Sequence, residues 1–137
     1  MAGQAQKSES LQIQTTEHIV FVRQAVRGLA LELGFSLVDQ TRIVTAASEL
    51  ARNTVVYGGG GTVHLAVIDN GGRPGLKLVF EDHGPGILDI EKALQDGYTT
   101  GTGLGLGLGG AKRLSNEFEI QSQPGKGTRV TIVRWKQ

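Results

Sequence analysis

Cysteine is missing from this chain of 137 residues, and aromatic residues make up only 5% of it. Without thiols the protein has neither a disulfide framework nor a thiolate metal site. The formal net charge is +1, so no broad basic field indicates nucleic acid as a partner. No apolar run reaches the length of a membrane span, and the first ten residues do not resemble a signal peptide. We therefore expect one cytoplasmic domain that binds neither nucleic acid nor membrane.

Glycine is the residue in excess, with 21 copies that cluster. The densest cluster is TTGTGLGLGLGG, residues 99–110, directly before the helix-like AKRLSNEF. Glycine costs backbone entropy, so the cluster predicts a need for bare backbone. Bare N–H groups ahead of a helix can converge on a phosphate. The alternative is a mobile loop whose glycines allow close helix packing.

Two familiar nucleotide motifs do not fit. Gly105, Gly107 and Gly110 spell G-x-G-x-x-G, but they do not follow the first strand of a βαβ unit. GKGT, residues 125–128, lacks the Ser or Thr that follows lysine in a Walker motif, and no helix comes after it. A hairpin turn explains the glycines of PGKG better.

The remaining pattern predicts the element order β-α-α-β-β-α-α-β-β. Residues 1–10 are expected to be a flexible tail, and residues 11–137 one domain. Adjacent strands joined by short turns predict antiparallel pairs. Helices on one face of a mixed, mostly antiparallel sheet would give a two-layer α/β sandwich.

Local signals also predict where the helices begin and end. Gly34 stands where the C′ cap of the first helix belongs, and Ser36 is the predicted N-cap of a second helix that reaches about Val56. Asp39 occupies N3 of that helix. Asp89 is the predicted cap of a short helix, DIEKALQD.

The second helix carries two polar side chains on the flank of its buried face. Glu49 and Asn53 are four residues apart and therefore neighbours on one face. A carboxylate there can accept a proton, and an amide oxygen suits Mg²⁺. The alternative is an ordinary solvated helix face.

Asp82 closes the strand LKLVFED and precedes Gly84, Pro85 and Gly86. A carboxylate at a strand end beside open backbone can accept a hydrogen bond from an exocyclic amine such as that of adenine. The alternative is an Asx turn. The intervening His83 is expected to be solvated.

In this order the motifs resemble the GHKL ATPase superfamily. ELARN resembles its N box, DHGPGI its first glycine box, GTGLGLG its second and GKGT its last. The resemblance implies the Bergerat fold, which holds ATP between helices and a flexible lid. His83 departs from the pattern, because many members have Asn there.

Longer segments, including GLGLGLGGAKRLSNEFEI and the closing IVRW, resemble the RsbT-type switch kinases of the stressosome, which are related to anti-sigma-factor kinases. This resemblance implies a serine/threonine kinase that phosphorylates a STAS-domain scaffold or antagonist. Once released, such a kinase binds and activates a PP2C-type phosphatase. The alternative is an ATP-dependent anti-sigma factor that sequesters a sigma factor directly.

The resemblance also implies a role for each matching residue. Glu49 would be the general base, Asn53 would hold Mg²⁺, and Asp82 would take the adenine amino group, with Thr128 supporting it. Gly84 and Gly86 would let the base approach. The phosphates and the lid would involve the remaining positions of the second glycine box: Gly101, Gly103, Leu104, Gly105, Leu106 and Gly107.

Overall fold

The computed structural model describes residues 4–95 and 107–137. The elements in chain order are β1 (Gln4–Ile13), α1 (Thr16–Glu32), α2 (Leu37–Val56), β2 (Gly61–Asn70), β3 (Arg73–Asp82), α3 (Ile90–Ala93), α4 (Gly107–Arg113), β4 (Glu117–Gln123) and β5 (Gly127–Trp135). The predicted order of strands and helices is confirmed.

The strands form one five-stranded sheet in the order β1-β2-β3-β5-β4. All four pairings between neighbours are antiparallel, so the sheet is not mixed. Hairpins join β2 to β3 and β4 to β5, and they account for two of these four pairings because a short turn joins antiparallel strands. The register places Asp82 on β3 opposite Thr128 on β5.

The α/β core lies between one face of the sheet and the helices. Alternate residues of β2 and β3, among them Val63, Leu65, Leu76 and Leu78, are fully buried there against α1 and α2. The opposite face carries a separate, small apolar cluster around Ile68 and Val133 with Trp135. The architecture is therefore the expected two-layer sandwich.

The cap predictions are confirmed. Gly34 has φ +81°, as a C′ glycine requires. The Ser36 hydroxyl accepts a hydrogen bond from the Asp39 N–H at 3.1 Å, and α2 ends at Val56. Asp89 likewise accepts from the Lys92 N–H at 3.0 Å at the start of α3.

The prediction of a flexible tail over residues 1–10 is wrong from Gln4 onward, because β1 begins there and pairs with β2. This is an edge strand whose outer residues are polar and exposed, so its sequence resembles that of a tail. Across residues 4–95 and 107–137, no helix is both long and apolar enough to cross a membrane.

Candidate functional site

A cavity of about 550 Å³ lies beside the C-terminal half of α2, the end of β3 and the start of β5, with α3 and α4 at its sides. Leu50, Phe80 and Val130 supply apolar walls. Asn53, Asp82 and Thr128 bring polar groups to it. This combination of size, apolar lining and a few polar groups is typical of a small-molecule site.

Asp82 lies half-buried in this cavity, at the point where β3 ends. Its Oδ1 accepts a hydrogen bond from the Gly84 N–H at 2.9 Å. The Asx-type contact considered from the sequence is therefore present, and it orients the carboxylate by one oxygen. Because Asp82 also lines the cavity, the two interpretations are compatible.

Glycines let the loop after β3 pack tightly against two other loops. A Cβ on Gly84 would overlap the backbone of Gly58, and a Cβ on Gly58 would overlap the Asp82 carboxylate. Gly86, with φ +76°, faces the carbonyl of Gln123. Protein backbone therefore already requires Gly84 and Gly86 to be glycine. The contribution of Gly58 was missed, although the run YGGGG directly after α2 was an available signal.

The β4–β5 hairpin supports the same loop. The Gly125 N–H donates to the Pro85 carbonyl at 2.7 Å. Gly127 has φ +92°, and a Cβ there would overlap the Asp82 carbonyl. The glycines of PGKG therefore do form a hairpin turn, and that turn braces the segment that carries Asp82.

Glu49 is buried, with 7% of its surface exposed, so the solvated-face interpretation is wrong for this residue. Its Oε1 accepts a hydrogen bond from the Gly107 N–H at 3.1 Å. Gly107 lines the cavity, whereas Glu49 is not among the lining residues. The Glu49 carboxylate therefore lies behind the cavity wall and contacts it through Gly107. Asn53, in contrast, lines the cavity directly.

The predicted site residues divide into three groups. Asn53, Asp82, Gly86, Gly107 and Thr128 line one cavity. Glu49 and Gly84 contact that lining from behind. The predictions for Gly101, Gly103, Leu104, Gly105 and Leu106 lie outside the described residues.

A buried ion pair ties α2 to the sheet and to the end of α4. Arg134 donates to Asp39 Oδ1 at 2.8 Å, and its other terminal nitrogen donates to the Leu114 carbonyl at 2.8 Å. The hydrogen bond from Arg134 is the main cause that holds the pKa of Asp39 below its ordinary value, against the opposing effect of burial. α4 therefore has a side-chain hydrogen bond at each end: Glu49 accepts from its first residue, and Arg134 donates to the residue directly after its last.

Several cavity residues were not predicted. Tyr57, Leu88 and Lys92 also line it, and Leu88 is 89% exposed. The sequence signal for Leu88 was the apolar pair Ile87 and Leu88 directly after the Gly-Pro-Gly turn. In the described part of the chain, no group of three or more acidic or histidine side chains could hold a metal ion. The Asn53 amide oxygen, which does not belong to those residue types, lines the cavity.

Residues 38–137 match the family described as histidine kinase-, DNA gyrase B-, and HSP90-like ATPase. The chain is 48% identical over 125 residues to the serine/threonine-protein kinase RsbT of Bacillus subtilis (strain 168), covering 91% of this chain and 94% of that one. It is 32% identical over 124 residues to an anti-sigma F factor of Thermoanaerobacter sp. (strain X514), covering 84% and 83% of the two chains.

Two solved structures share the fold. A structure of the RsbU and RsbW domains of a Mycobacterium tuberculosis protein superposes with a TM-score of 0.67 at 24% identity, covering 96% of this chain and 33% of that one. The mycobacterial sensor histidine kinase MprB gives a TM-score of 0.55 at 23% identity, covering 96% and 99%. The match to the family model and the 48% identity to RsbT show that the chain belongs to the histidine kinase-, DNA gyrase B- and HSP90-like ATPase family, and within it to the serine/threonine kinases related to RsbT.

Proposed function

We propose that this protein uses Mg-ATP to phosphorylate a serine or threonine of a STAS-domain protein in a partner-switching pathway. Once released from that protein, it binds and activates a PP2C-type phosphatase. The observation that carries the proposal is the convergence of Asp82, Asn53 and the Glu49–Gly107 contact on one cavity. The similarity of this chain to the serine/threonine-protein kinase RsbT supports the reaction type.

The cavity suits ATP at its apolar end. Leu50, Phe80 and Val130 offer apolar surface for a purine ring, and the Asp82 carboxylate in the same cavity can accept from an amino group. The volume of about 550 Å³ lies in the range of ligand pockets. Gly107, at the start of α4, then borders the part of the cavity that would hold the phosphates.

Mg²⁺ fits as a companion of the nucleotide. Magnesium is usually held by one or two protein oxygens together with phosphate oxygens and water. Asn53 offers an amide oxygen at the cavity wall, four residues from the Glu49 carboxylate on the same helix. The cation would supply charge neutralisation for the transferred phosphoryl group.

Glu49 is the proposed general base. Its Oε1 accepts from the Gly107 N–H, and its second oxygen can accept a proton from the acceptor hydroxyl. Phosphoryl transfer is catalysed mainly by holding the reacting groups in position. A buried Glu49 whose carboxylate is hydrogen-bonded to α4 suits that role.

The second candidate function is sequestration of a sigma factor, and similarity to anti-sigma F factors favours it. The two functions share the nucleotide site and differ in the partner. The proposed place of action for both is the cytoplasm.

The test is transfer of radiolabelled phosphate from ATP to purified STAS proteins of the same organism, with the Glu49→Gln variant as the control. Label on a serine or threonine that depends on Glu49 supports the kinase. A pull-down with the phosphatase and with sigma factors then identifies the second partner. If no STAS protein is labelled but a sigma factor is retained in the presence of ATP, sequestration replaces phosphorylation as the function.

A further inference from the structure

Ser122 on β4 is outside the cavity lining, yet its hydroxyl contacts the residues around the polar corner formed by Asp82 and Thr128. We call that pair the adenine corner. The Ser122 Oγ lies 2.8 Å from the Thr128 Oγ1 and accepts a hydrogen bond from the Ile87 N–H at 2.8 Å. It also donates to the Gly127 carbonyl at 3.1 Å. One hydroxyl therefore joins β5 to the loop that follows Asp82.

The number of hydrogens decides the polarity of this network. A serine hydroxyl has one hydrogen and two lone pairs. The contact with the Gly127 carbonyl uses the hydrogen, and the Ile87 N–H uses one lone pair. All three contacts are hydrogen bonds at once only if Thr128 donates its own hydrogen to the remaining lone pair of Ser122. Thr128 then has only lone pairs left for the cavity.

The polarity of the Thr128 hydroxyl matters because of the residue beside it on the neighbouring strand β3. Asp82 is its partner in the β3–β5 register, both residues line the cavity, and an ionised carboxylate is also purely an acceptor. The adenine corner thus presents acceptors only. A 6-amino purine brings two N–H donors at its 6-position, whereas a 6-oxo purine places an acceptor there that finds no donor in this corner and keeps only its N1–H as a donor on that edge.

We propose that Ser122 is a positioning residue that holds the Thr128 hydroxyl as an acceptor and thereby makes the site select a 6-amino over a 6-oxo purine nucleotide. The inference rests on the proposed function, because it takes the cavity to be the ATP site. Ser122 acts through Thr128 and does not touch the nucleotide.

The experiment compares ATP with inosine triphosphate, the 6-oxo analogue, by calorimetric titration in Mg²⁺ without any protein substrate. In Ser122→Ala the Thr128 hydroxyl becomes free to rotate and donate, so the 6-oxo nucleotide gains a partner. The ratio of ATP to inosine triphosphate affinity should fall by about five- to tenfold, mainly through tighter binding of the analogue. Ser122→Thr retains the hydroxyl and should preserve the ratio.

A purely structural role for Ser122 predicts something else, because a loosened hairpin weakens both nucleotides alike and leaves the ratio unchanged. Ser115→Ala is the matched control, since its hydroxyl serves only the Ala111 carbonyl of α4 among the described contacts. Thr128→Val should itself lower the ratio, and adding Ser122→Ala to it should change the ratio no further.

Three results would overturn the inference: an unchanged ratio in folded Ser122→Ala, an additive effect in the Thr128→Val background, or an unchanged ratio in Thr128→Val. The last one decides even if Ser122→Ala does not fold. None of these three results contradicts the proposed kinase function, provided that the wild-type protein binds ATP. A wild-type protein that binds neither nucleotide contradicts the proposed function itself, and the inference falls with it.

Discussion

The Glu49 carboxylate accepts a hydrogen bond from the backbone N–H of Gly107 at 3.1 Å, which joins the buried flank of α2 to the first residue of α4. The two residues are 58 positions apart in the chain. The contact holds the proposed base directly behind the cavity wall, and it gives α4 an acceptor for an N–H that no helix carbonyl can reach.

The first prediction separates these two roles of Glu49. Glu49→Gln retains an oxygen for the Gly107 N–H but cannot take a proton, so phosphate transfer should slow by about 10²–10⁴-fold with little change in stability. Glu49→Ala should lose the same activity and in addition about 1 kcal/mol of unfolding free energy, because the half-buried Gly107 N–H loses its partner. Single-turnover transfer and urea unfolding measure the two quantities. Normal transfer by Glu49→Gln would remove Glu49 from the mechanism.

Asn53 is predicted to act through the metal. Asn53→Ala removes an oxygen ligand, so ATP affinity in Mg²⁺ should fall by about tenfold while affinity in EDTA stays at the wild-type value. Asn53→Asp retains an oxygen ligand and is the matched control. Equal losses with and without Mg²⁺ would assign Asn53 to the nucleotide rather than to the cation.

Asp82 is predicted to bind the purine amino group. Asp82→Asn keeps an oxygen for the Gly84 N–H but replaces the other acceptor with a donor, so ATP binding should weaken by about 1–3 kcal/mol in a folded protein. Asp69→Asn is the matched control, because Asp69 makes a similar contact with the Gly72 N–H in the β2–β3 turn. Calorimetry that finds equal ATP affinity in the two variants would contradict the assignment.

Local and long-range features differ in how far the sequence predicts them. Ser36 and Gly34 act on neighbours within a few residues, so residue type alone identified the limits of α2 and α1. The partner of Glu49 and the pairing of Asp39 with Arg134, which are 95 positions apart, depend on how the helices dock on the sheet. Periodicity placed Glu49 on the flank of the buried face but could not show what covers it.

The two glycines of the β4–β5 turn offer a test of packing against backbone strain. Gly125 and Gly127 both have positive φ, but only at Gly127 would a Cβ overlap protein atoms. Gly125→Ala should therefore cost about 1 kcal/mol of unfolding free energy, and Gly127→Ala about 3 kcal/mol, with weaker ATP binding because Asp82 shifts. If thermal unfolding gave the same loss of stability for both variants, the protein would relieve the overlap at position 127 without any effect on the site.

The buried pair of Asp39 and Arg134 predicts a stability that depends on acid pH. Their side chains are 5% and 7% exposed, so Asp39→Asn leaves a buried guanidinium without its counter-charge and should cost about 3 kcal/mol at pH 7. Glu32→Gln is the matched control, because Glu32 pairs with Lys7 at the surface, where both side chains are about 60% exposed, and should cost less than about 1 kcal/mol.

The direction of the pH effect follows from the lowered pKa of Asp39. The unfolded carboxyl titrates near its ordinary value of 3.8, and the folded one titrates below that. The contribution of the pair is therefore complete above about pH 4 to 5 and is lost as the pH falls through the folded pKa. Urea unfolding of the wild type and Asp39→Asn from pH 7 to pH 2 should give two stability curves with a constant gap that closes only at the acid end. A gap that persists below the pH at which Asp39 is protonated would show that the loss comes from altered packing and not from the ion pair.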